Sequence, residues 1–404
     1  MDSRRSPAFI VDAVRTPVGK YGGVLRAVRP DDLAAIVIVG VVKHAKVLPE
    51  KVDEVIFGCA NQAGEDNRNV ARMAALLADF PYSVPAYTVN RLCGSGLEAV
   101  NSAARMIWTE DADCIIAGGV ESMSRAPYSI PKKISGKEEF GNLTAYDTAL
   151  GWRFPNQRLV NRFPLENMGE TAENLAEKYK IPREEQDAFA LESHRRAISA
   201  QDSGKFSDEI VAVSIINDRK EEQRISEDEG PRRDTNMELL SKLNSAFRPN
   251  GTVTAGNSSG LNDGAAAVLI CSERFLRENE IEPMAEIVST SAAGVNPRYM
   301  RIGPVPATRK AMEKAGLNSD RIGLVELNEA FASQSLAVIR ELGLNREATN
   351  VNGDAIALGH PLGASGARIL TTLVHEMRRQ RIEYGLATMC IGVGQGISTI
   401  IKSI

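Results

Sequence analysis

Residues 86–107 read AYTVNRLCGSGLEAVNSAARMI, and residues 349–377 read TNVNGDAIALGHPLGASGARILTTLVHEM. Each opens on an extended run, passes through a cluster of small residues and continues at the three-to-four spacing of an amphipathic helix. Before and after the first lie AFIVDAVRTP (8–17), DEVIFGCANQ (53–62) and ADCIIAGGVESMS (112–124). Around the second lie MAEIVSTSAAG (284–294), IGLVELNEAFA (322–332) and YGLATMCIGVGQGISTIIK (384–402). The elements recur in the same order, so the chain reads as two similar halves, each a strand–helix sheet. The fold class is α/β.

Between the halves the sequence changes character, becoming rich in charge, proline and aromatic residues, and it does not continue the sheet pattern. Residues 167–204 read as two helices, with Thr171 as an N-cap, Pro182 at a helix start and Gly204 as a terminator. Residues 218–235, DRKEEQRISEDEGPRRDT, form a charge run of the kind usually found in exposed loops. The glycine-rich strand pattern returns at VTAGNSSGLNDGAAAVLICSE, which is assigned back to the first half. The resulting division is 1–121 with 248–275, an inserted loop domain at 122–247, and 276–404.

Length and composition narrow the function. A chain of 404 residues holds two or three domains, and a hydrophobic content of 43% supplies a sizeable core. The net charge of −4 offers no basic field for nucleic acid. No run reaches the length of a membrane span, and the start carries no secretory pattern, so no membrane partner and a cytoplasmic location are expected. Five scattered cysteines without a CxxC pair point to free thiols in a reducing compartment and to no metal.

Chemistry concentrates on a few turns. Cys93 sits where a strand-like run ends and Gly94, Ser95 and Gly96 open a helix. Amides at a helix start favour a thiolate and can hold an oxyanion. A buried packing cysteine is the bland alternative. In the second half His360 occupies the corresponding turn, and a pseudo-twofold packing of the halves would bring thiol and imidazole together, so that the imidazole takes the thiol proton. The other histidines, His44, His194 and His375, lie on charged helical stretches and are expected at the surface. Cys390 precedes alternating glycines in CIGVGQG; with no following helix and no downstream acid at the right distance, this is a turn of amides beside a second thiol, not a dinucleotide fingerprint. Asn328 ends a strand at the same face, where its amide can hold a water or a carbonyl oxygen, although an Asn-Glu pair is often only a cap.

Taken together, VNRLCGSG, AGGVESMS, VTAGNSSGLNDGAA, LNEAFA, NVNGDAIALGHPLGASGAR and CIGVGQG, in this order and spacing, resemble the thiolase family over essentially the whole chain. The resemblance implies a thiolase fold: two βαβαβαββ halves about a pseudo-twofold axis, layered α-β-α-β-α, plus a loop domain. It implies an acyl-CoA acyltransferase that cleaves a 3-ketoacyl-CoA with CoA, or runs in reverse. Cys93 would be acylated, His360 would activate it, and Cys390 would be the second acid/base. One oxyanion hole would come from Asn328, through a water, with His360; the other from the amides of Cys93 and Gly392. Ser259 and Met168 match positions lining the pantetheine tunnel, and Arg232 is matched less firmly to a phosphate or adenine contact. CoA is then a cosubstrate with no permanent cofactor, acyl-CoA and CoA are the partners, and the assembly is a homodimer or homotetramer. Residues 58–74 look most like β-ketoadipyl-CoA thiolases, whereas residues 167–179 look like acetoacetyl-CoA and general 3-ketoacyl-CoA thiolases; the general substrate is taken first and β-ketoadipyl-CoA as its alternative.

One position departs from the pattern: Asp354 stands where the family usually has a second glycine. Its carboxylate either replaces a turn glycine or alters the turn that holds the imidazole. Three other classes fit less well. A condensing enzyme acting on acyl carrier protein does its acid/base work with histidines, which Cys390 argues against. A cysteine hydrolase would use water as acceptor, and a non-catalytic acyl-CoA binding module would not need Cys93 and His360 intact.

Overall fold

The structure, a computed structural model, describes residues 6–132, 142–216 and 219–404. The five N-terminal residues and Asp218, at the head of the charge run, lie outside the described residues. In chain order the first half supplies β1 (Ala8–Arg15), α1 (Pro30–Ala45), β2 (Glu54–Gly58), α2 (Val70–Leu77), β3 (Ala86–Val89), α3 (Ser95–Trp108) and β4 (Cys114–Ser122). The intervening segment carries α4 (Met168–Tyr179) and α5 (Arg183–Asp202), and β5 (Asn262–Ser272) closes the half. The second half runs β6 (Ala285–Gly294), α6 (Pro304–Ala315), β7 (Leu324–Leu327), α7 (Ala332–Leu342), α8 (Leu362–Gln380), β8 (Tyr384–Ile391) and β9 (Gln395–Ser403).

Strand order shows the repeat. The sheet path is β7-β8-β9-β6-β1-β5-β4-β2-β3, with Gly19–Lys20 pairing on β5. Read outward from the seam, the halves give matching orders, β1-β5-β4-β2 and β6-β9-β8-β7, with β3 an extra strand at the first half's edge, and the first strands of the two halves, β1 and β6, meet antiparallel through Phe9–Glu286 and Ile10–Ala285. The third strand of the second half, expected within 349–360, is reduced to one bridge between Val325 and Thr349. Asn350 takes over its role: the Asn350 side-chain amide accepts from Leu327 N–H and donates to Leu327 O, both at 2.8 Å. Its own backbone, with Gly353, has turned left-handed and cannot extend the ladder.

Three apolar layers separate the elements. One core lies between α1, α2 and the first sheet; a second encloses α3 and α8 between Ile56, Ile115 and Val268 on one side and Met389, Ile391 and Ile397 on the other; a third sits under α6 and α7. The two central helices touch backbone to backbone. A Cβ on Gly96 would lie 2.7 Å from Gly363 O, and one on Gly366 would lie 2.4 Å from Leu97 N, so only glycine permits this crossing. It fixes the turns at the starts of both helices, which carry Cys93 and His360.

Beyond Ser122, which ends β4, the described residues up to 247 add no strand to the large sheet; they include α4, α5 and the two-stranded ladders Tyr128–Ser129 with Tyr146–Asp147 and Val213–Ile216 with Glu222–Ile225. Thr171 is not the cap expected of it: Asn167 occupies that position, and Thr171 lies inside α4, where its hydroxyl donates to Met168 O. No helix among the described residues is long and apolar enough to cross a membrane.

His194, expected at the surface, is instead buried, with the charge run's Arg232 backbone packed against its ring. Its Nδ1 accepts the Arg232 N–H at 3.1 Å. Burial, reinforced by the Arg232 charge, holds its pKa down at about 4. A depressed histidine is neutral in the fold and protonated in the unfolded chain between those pKa values, so stability falls on acidification from about pH 6.5. Relative to His194→Gln, the protein should lose about 2 kcal/mol between pH 7 and pH 5, read as a difference in urea midpoints.

Candidate active site

Cys93 follows β3 and precedes α3 in a tight turn. Leu92 has φ +48°, a left-handed position that strains a branched residue by roughly 1–3 kcal/mol. Local bonds hold it there: Asn90 Oδ1 accepts the Leu92 N–H at 2.8 Å, and Ser95 Oγ donates to Leu92 O at 2.6 Å. The residue keeps part of its surface open, while its sulfur faces the N–H of Gly392, its own N–H and Cys390. Gly392 belongs to the turn after β8, in which Val393 is also left-handed at φ +64°. Both cysteine-bearing turns thus hold a side chain in a conformation it adopts rarely.

His360 is buried at the end of a glycine turn. Gly359 has φ +119°, and a Cβ there would meet Asn262 Nδ2 at 2.4 Å, so glycine is required twice over. The backbone N–H of His360 donates to Asn262 Oδ1 at 2.9 Å. Its Nδ1 lies 2.6 Å from Ser365 Oγ, whose single proton goes to Pro361 O at 2.8 Å. The imidazole therefore donates from Nδ1, which leaves the lone pair on Nε2.

Burial decides the resting charge state. It pushes the Cys93 thiol up to about 11, helped by Cys390 and opposed by the Gly392 N–H and the Arg301 charge. The His360 imidazole is pulled down to about 3, by burial first and then by Arg368 and Arg301. Desolvation of the charged form thus opposes the thiolate that the amides at the helix start favour. Burial favours the neutral form of both groups. Cys93 and His360 each lie two residues before their helix, but matching the residues at the helix crossing, where Gly96 meets Ala367 and Gly366 meets Leu97, pairs Ser95 with Ser365 and puts Asn90, not Cys93, opposite His360.

Cys390 ends β8, beside β7 in a parallel pair that aligns Leu327 with Thr388. Asn328 follows at the same strand ends, with its N–H on Thr388 O at 3.1 Å. Its side chain is fully buried, and neither amide atom has a protein partner. Buried amides are satisfied as a rule, so this one is free for a water or a substrate oxygen. Met168 joins the same cluster: a Cβ on Gly392 would lie 4.0 Å from Met168 Sδ, and Met168 packs with Cys390, Ala330 and Phe331. Ser259 is tied to that wall by its N–H on Ala330 O at 3.1 Å. Arg232 stands apart; it is exposed, and its backbone N–H donates to His194 Nδ1.

Two carboxylates buttress the site, and of these only Asp354 stood out in the sequence. Glu121 is buried, accepts N–H groups from Ala60, Asn61 and Gly363, and joins the start of α8 to the loop after β2. Burial raises it to about 7 against those three donors. Asp354 resolves the departure noted in the sequence. The left-handed turn position is Gly353, so Asp354 replaces no conformationally required glycine. Its carboxylate pairs with buried Arg368 and accepts the Glu329 N–H at 2.7 Å, which fastens the residue after Asn328 to the loop leading to His360.

The site thus gathers a thiol on a left-handed turn, a second thiol facing it, a buried imidazole and an amide without a protein partner. Two family models match the chain, Thiolase, N-terminal domain over residues 8–274 and Thiolase, C-terminal domain over residues 281–403. The chain belongs to the thiolase family. It is 52% identical to the 3-oxoadipyl-CoA/3-oxo-5,6-dehydrosuberyl-CoA thiolase of Escherichia coli (strain K12), over 98% of this chain and 99% of that one. It is 47% identical to an acetyl-CoA acetyltransferase of Syntrophomonas wolfei, over 98% of each. Among solved structures, the Bacillus anthracis acetyl-CoA acetyltransferase superposes with a TM-score of 0.93 at 44% identity, covering 99% of both chains. Human mitochondrial 3-ketoacyl-CoA thiolase in complex with CoA gives 0.92 at 43% identity, covering 99% of this chain and 98% of that one.

Proposed function

We propose that this thiolase cleaves its 3-ketoacyl-CoA through an acyl group carried on Cys93. The observation that supports this most directly is the Cys93 sulfur, faced by the Gly392 N–H and set beside a second thiol. In the first step Cys93 Sγ attacks the 3-keto carbon and Nε2 of His360 takes the thiol proton. The oxyanion is held by the N–H groups of Cys93 and Gly392. The Cα–Cβ bond then breaks, and the enolate oxygen of acetyl-CoA faces Asn328 and the protonated His360. Cys390 gives its proton to the α-carbon, and the CoA thiol later restores it. CoA sulfur attacks the acyl group, and His360 returns its proton to Cys93. Ser259 and Met168 would line the pantetheine arm; Arg232, exposed and remote in its contacts, remains only a candidate for the outer phosphates.

For the substrate we favour β-ketoadipyl-CoA over acetoacetyl-CoA, reversing the order taken from sequence. What supports this is that relatives named for it, such as the β-ketoadipyl-CoA thiolase of Acinetobacter baylyi at 51%, exceed the acetyl-CoA acetyltransferase at 47%. Thiolysis would then give acetyl-CoA and a succinyl group on Cys93. The test is kcat/KM for the two substrates under one CoA concentration. A preference for acetoacetyl-CoA would return the substrate to the general reading, and turnover of neither would remove thiolysis of short 3-ketoacyl-CoA altogether.

Acid should not switch off the base. An imidazole of ordinary pKa near 6.5 would be mostly protonated at pH 5 and would lose about thirtyfold in rate. With His360 held at about 3, protonation removes the base only below about pH 4. We expect kcat/KM to change by less than about twofold between pH 8 and pH 5; a fall centred near 6.5 would contradict the neutral pair.

A further inference from the structure

Arg301 is a guanidinium with an unusual set of neighbours. It projects from the 3-10 helix Pro297–Ile302 and is 3% exposed. Nη2 donates to Met168 O at 3.0 Å, Nε to Thr171 Oγ1 at 3.3 Å, and Nη1 to Cys390 Sγ at 3.5 Å. Its Cζ lies 4.0 Å from the centre of the Phe331 ring. None of these partners is a carboxylate. The acids of the helix packed against it are engaged elsewhere: Glu170 with Arg248, Glu173 with the N–H groups of Thr252 and Val253, and neighbouring Glu166 with Arg298. The surroundings are otherwise apolar, made of Ala172, Val253, Ala330 and Phe331.

A buried cation without an anion is unfavourable unless a charge forms beside it. The titratable groups facing Arg301 are Cys390, by contact, and Cys93 and His360, by charge. We propose that Arg301 is a catalytic cation: its guanidinium, fixed 3.5 Å from Cys390 Sγ, carries the counter-charge for the thiolate that Cys390 becomes when it gives up its proton. This rests on the reading of Cys390 as the second acid/base. When the enolate of acetyl-CoA is protonated, the Cys390 S–H bond breaks, a C–H bond forms, and the electron pair stays on sulfur next to Arg301. The CoA thiol then re-protonates Cys390 and leaves its own sulfur as the nucleophile. The same positive charge discourages a lasting proton on His360, which favours its return to Cys93. Sequence reading missed Arg301 because NPRYMRIGP reads as a loop, although an arginine between Met300 and Ile302 was a signal available there.

The test titrates Cys390 directly. In a Cys93→Ser background, thiolate absorbance is followed against pH for the protein with Arg301 intact and for R301M, R301Q and R301K, subtracting in each case the matching C390S protein. Loss of the charge in R301M or R301Q should raise the Cys390 midpoint by about one to three pH units, and R301K should recover most of the shift. R301M keeps the bulk and removes an unpaired buried charge, so thermal unfolding should show it folded; R301Q serves as the second neutral variant. An unmoved midpoint in folded R301M or R301Q overturns the proposal. Thiolysis by otherwise wild-type enzyme carrying C390A separates the two levels. Full activity there would defeat the acid/base reading and Arg301's catalytic role with it, whereas an inactive C390A with an unmoved midpoint would defeat Arg301 alone.

Discussion

Cys93→Ala is expected to lower kcat for thiolysis by about 10⁴-fold or more while the fold stays intact. The alanine removes the atom that accepts the acyl group, and no neighbouring group stands in for it. Cys390 is the second thiol facing it, but it lies near the end of β8 and is nearly inaccessible. Stability should change by no more than about 1 kcal/mol, because Cys93 is half-buried in a turn whose geometry is set by Asn90 and Ser95 rather than by its own side chain. Binding of acyl-CoA should persist, which a thermal shift on adding acetyl-CoA would register. Residual turnover within tenfold of wild type would mean that the acyl group does not pass through Cys93.

The largest stability effect is expected at Arg15. It ends β1, is fully buried, and donates to Glu209 at 2.6 Å and to Asp228 at 2.7 and 2.9 Å. Its guanidinium also lies 4.9 Å from the Phe206 ring centre. Both acids come from the segment inserted between the halves, so this one side chain fastens that segment to the first strand. Arg15→Ala would leave two carboxylates facing each other in the interior. Removing one partner of a buried ionic group costs about 3–5 kcal/mol, since the remaining charge is neither hydrated nor paired. Urea unfolding at pH 7 should show a loss of that size, and a loss under 1 kcal/mol would show that water reaches Glu209 and Asp228.

Much of this site could be read from the sequence because its turns carry their own signature. A cysteine or histidine among small residues, at the junction of an extended run and a helical period, marks a side chain presented at a helix start, and Cys93 and His360 both show it. Asn328 and Cys390 were legible as the ends of apolar strands. What could not be read depended on burial and on distant partners. The helix-start amides pointed to a Cys93 thiolate, yet the opposing desolvation is a property of the closed site. His194 sits on a charged stretch but its ring accepts the Arg232 N–H, a partner 38 positions away that only the packing of the charge run on α5 reveals. Asp354 left two readings open because its partner, Arg368, lies on α8 and the N–H it accepts belongs to Glu329. Arg301 is the clearest case: Met168, Thr171 and Cys390, which surround it, lie 133, 130 and 89 positions away in the chain.

Thiolysis as proposed requires that the acyl group be carried on Cys93. The direct measurement is peptide mapping by mass spectrometry after the enzyme is mixed briefly with β-ketoadipyl-CoA or acetoacetyl-CoA, without free CoA, and quenched in acid. A succinyl or acetyl group on the peptide containing Cys93, released when CoA is added before the quench, is the predicted result. Turnover with no adduct on Cys93, or with the acyl group on Cys390, would contradict it.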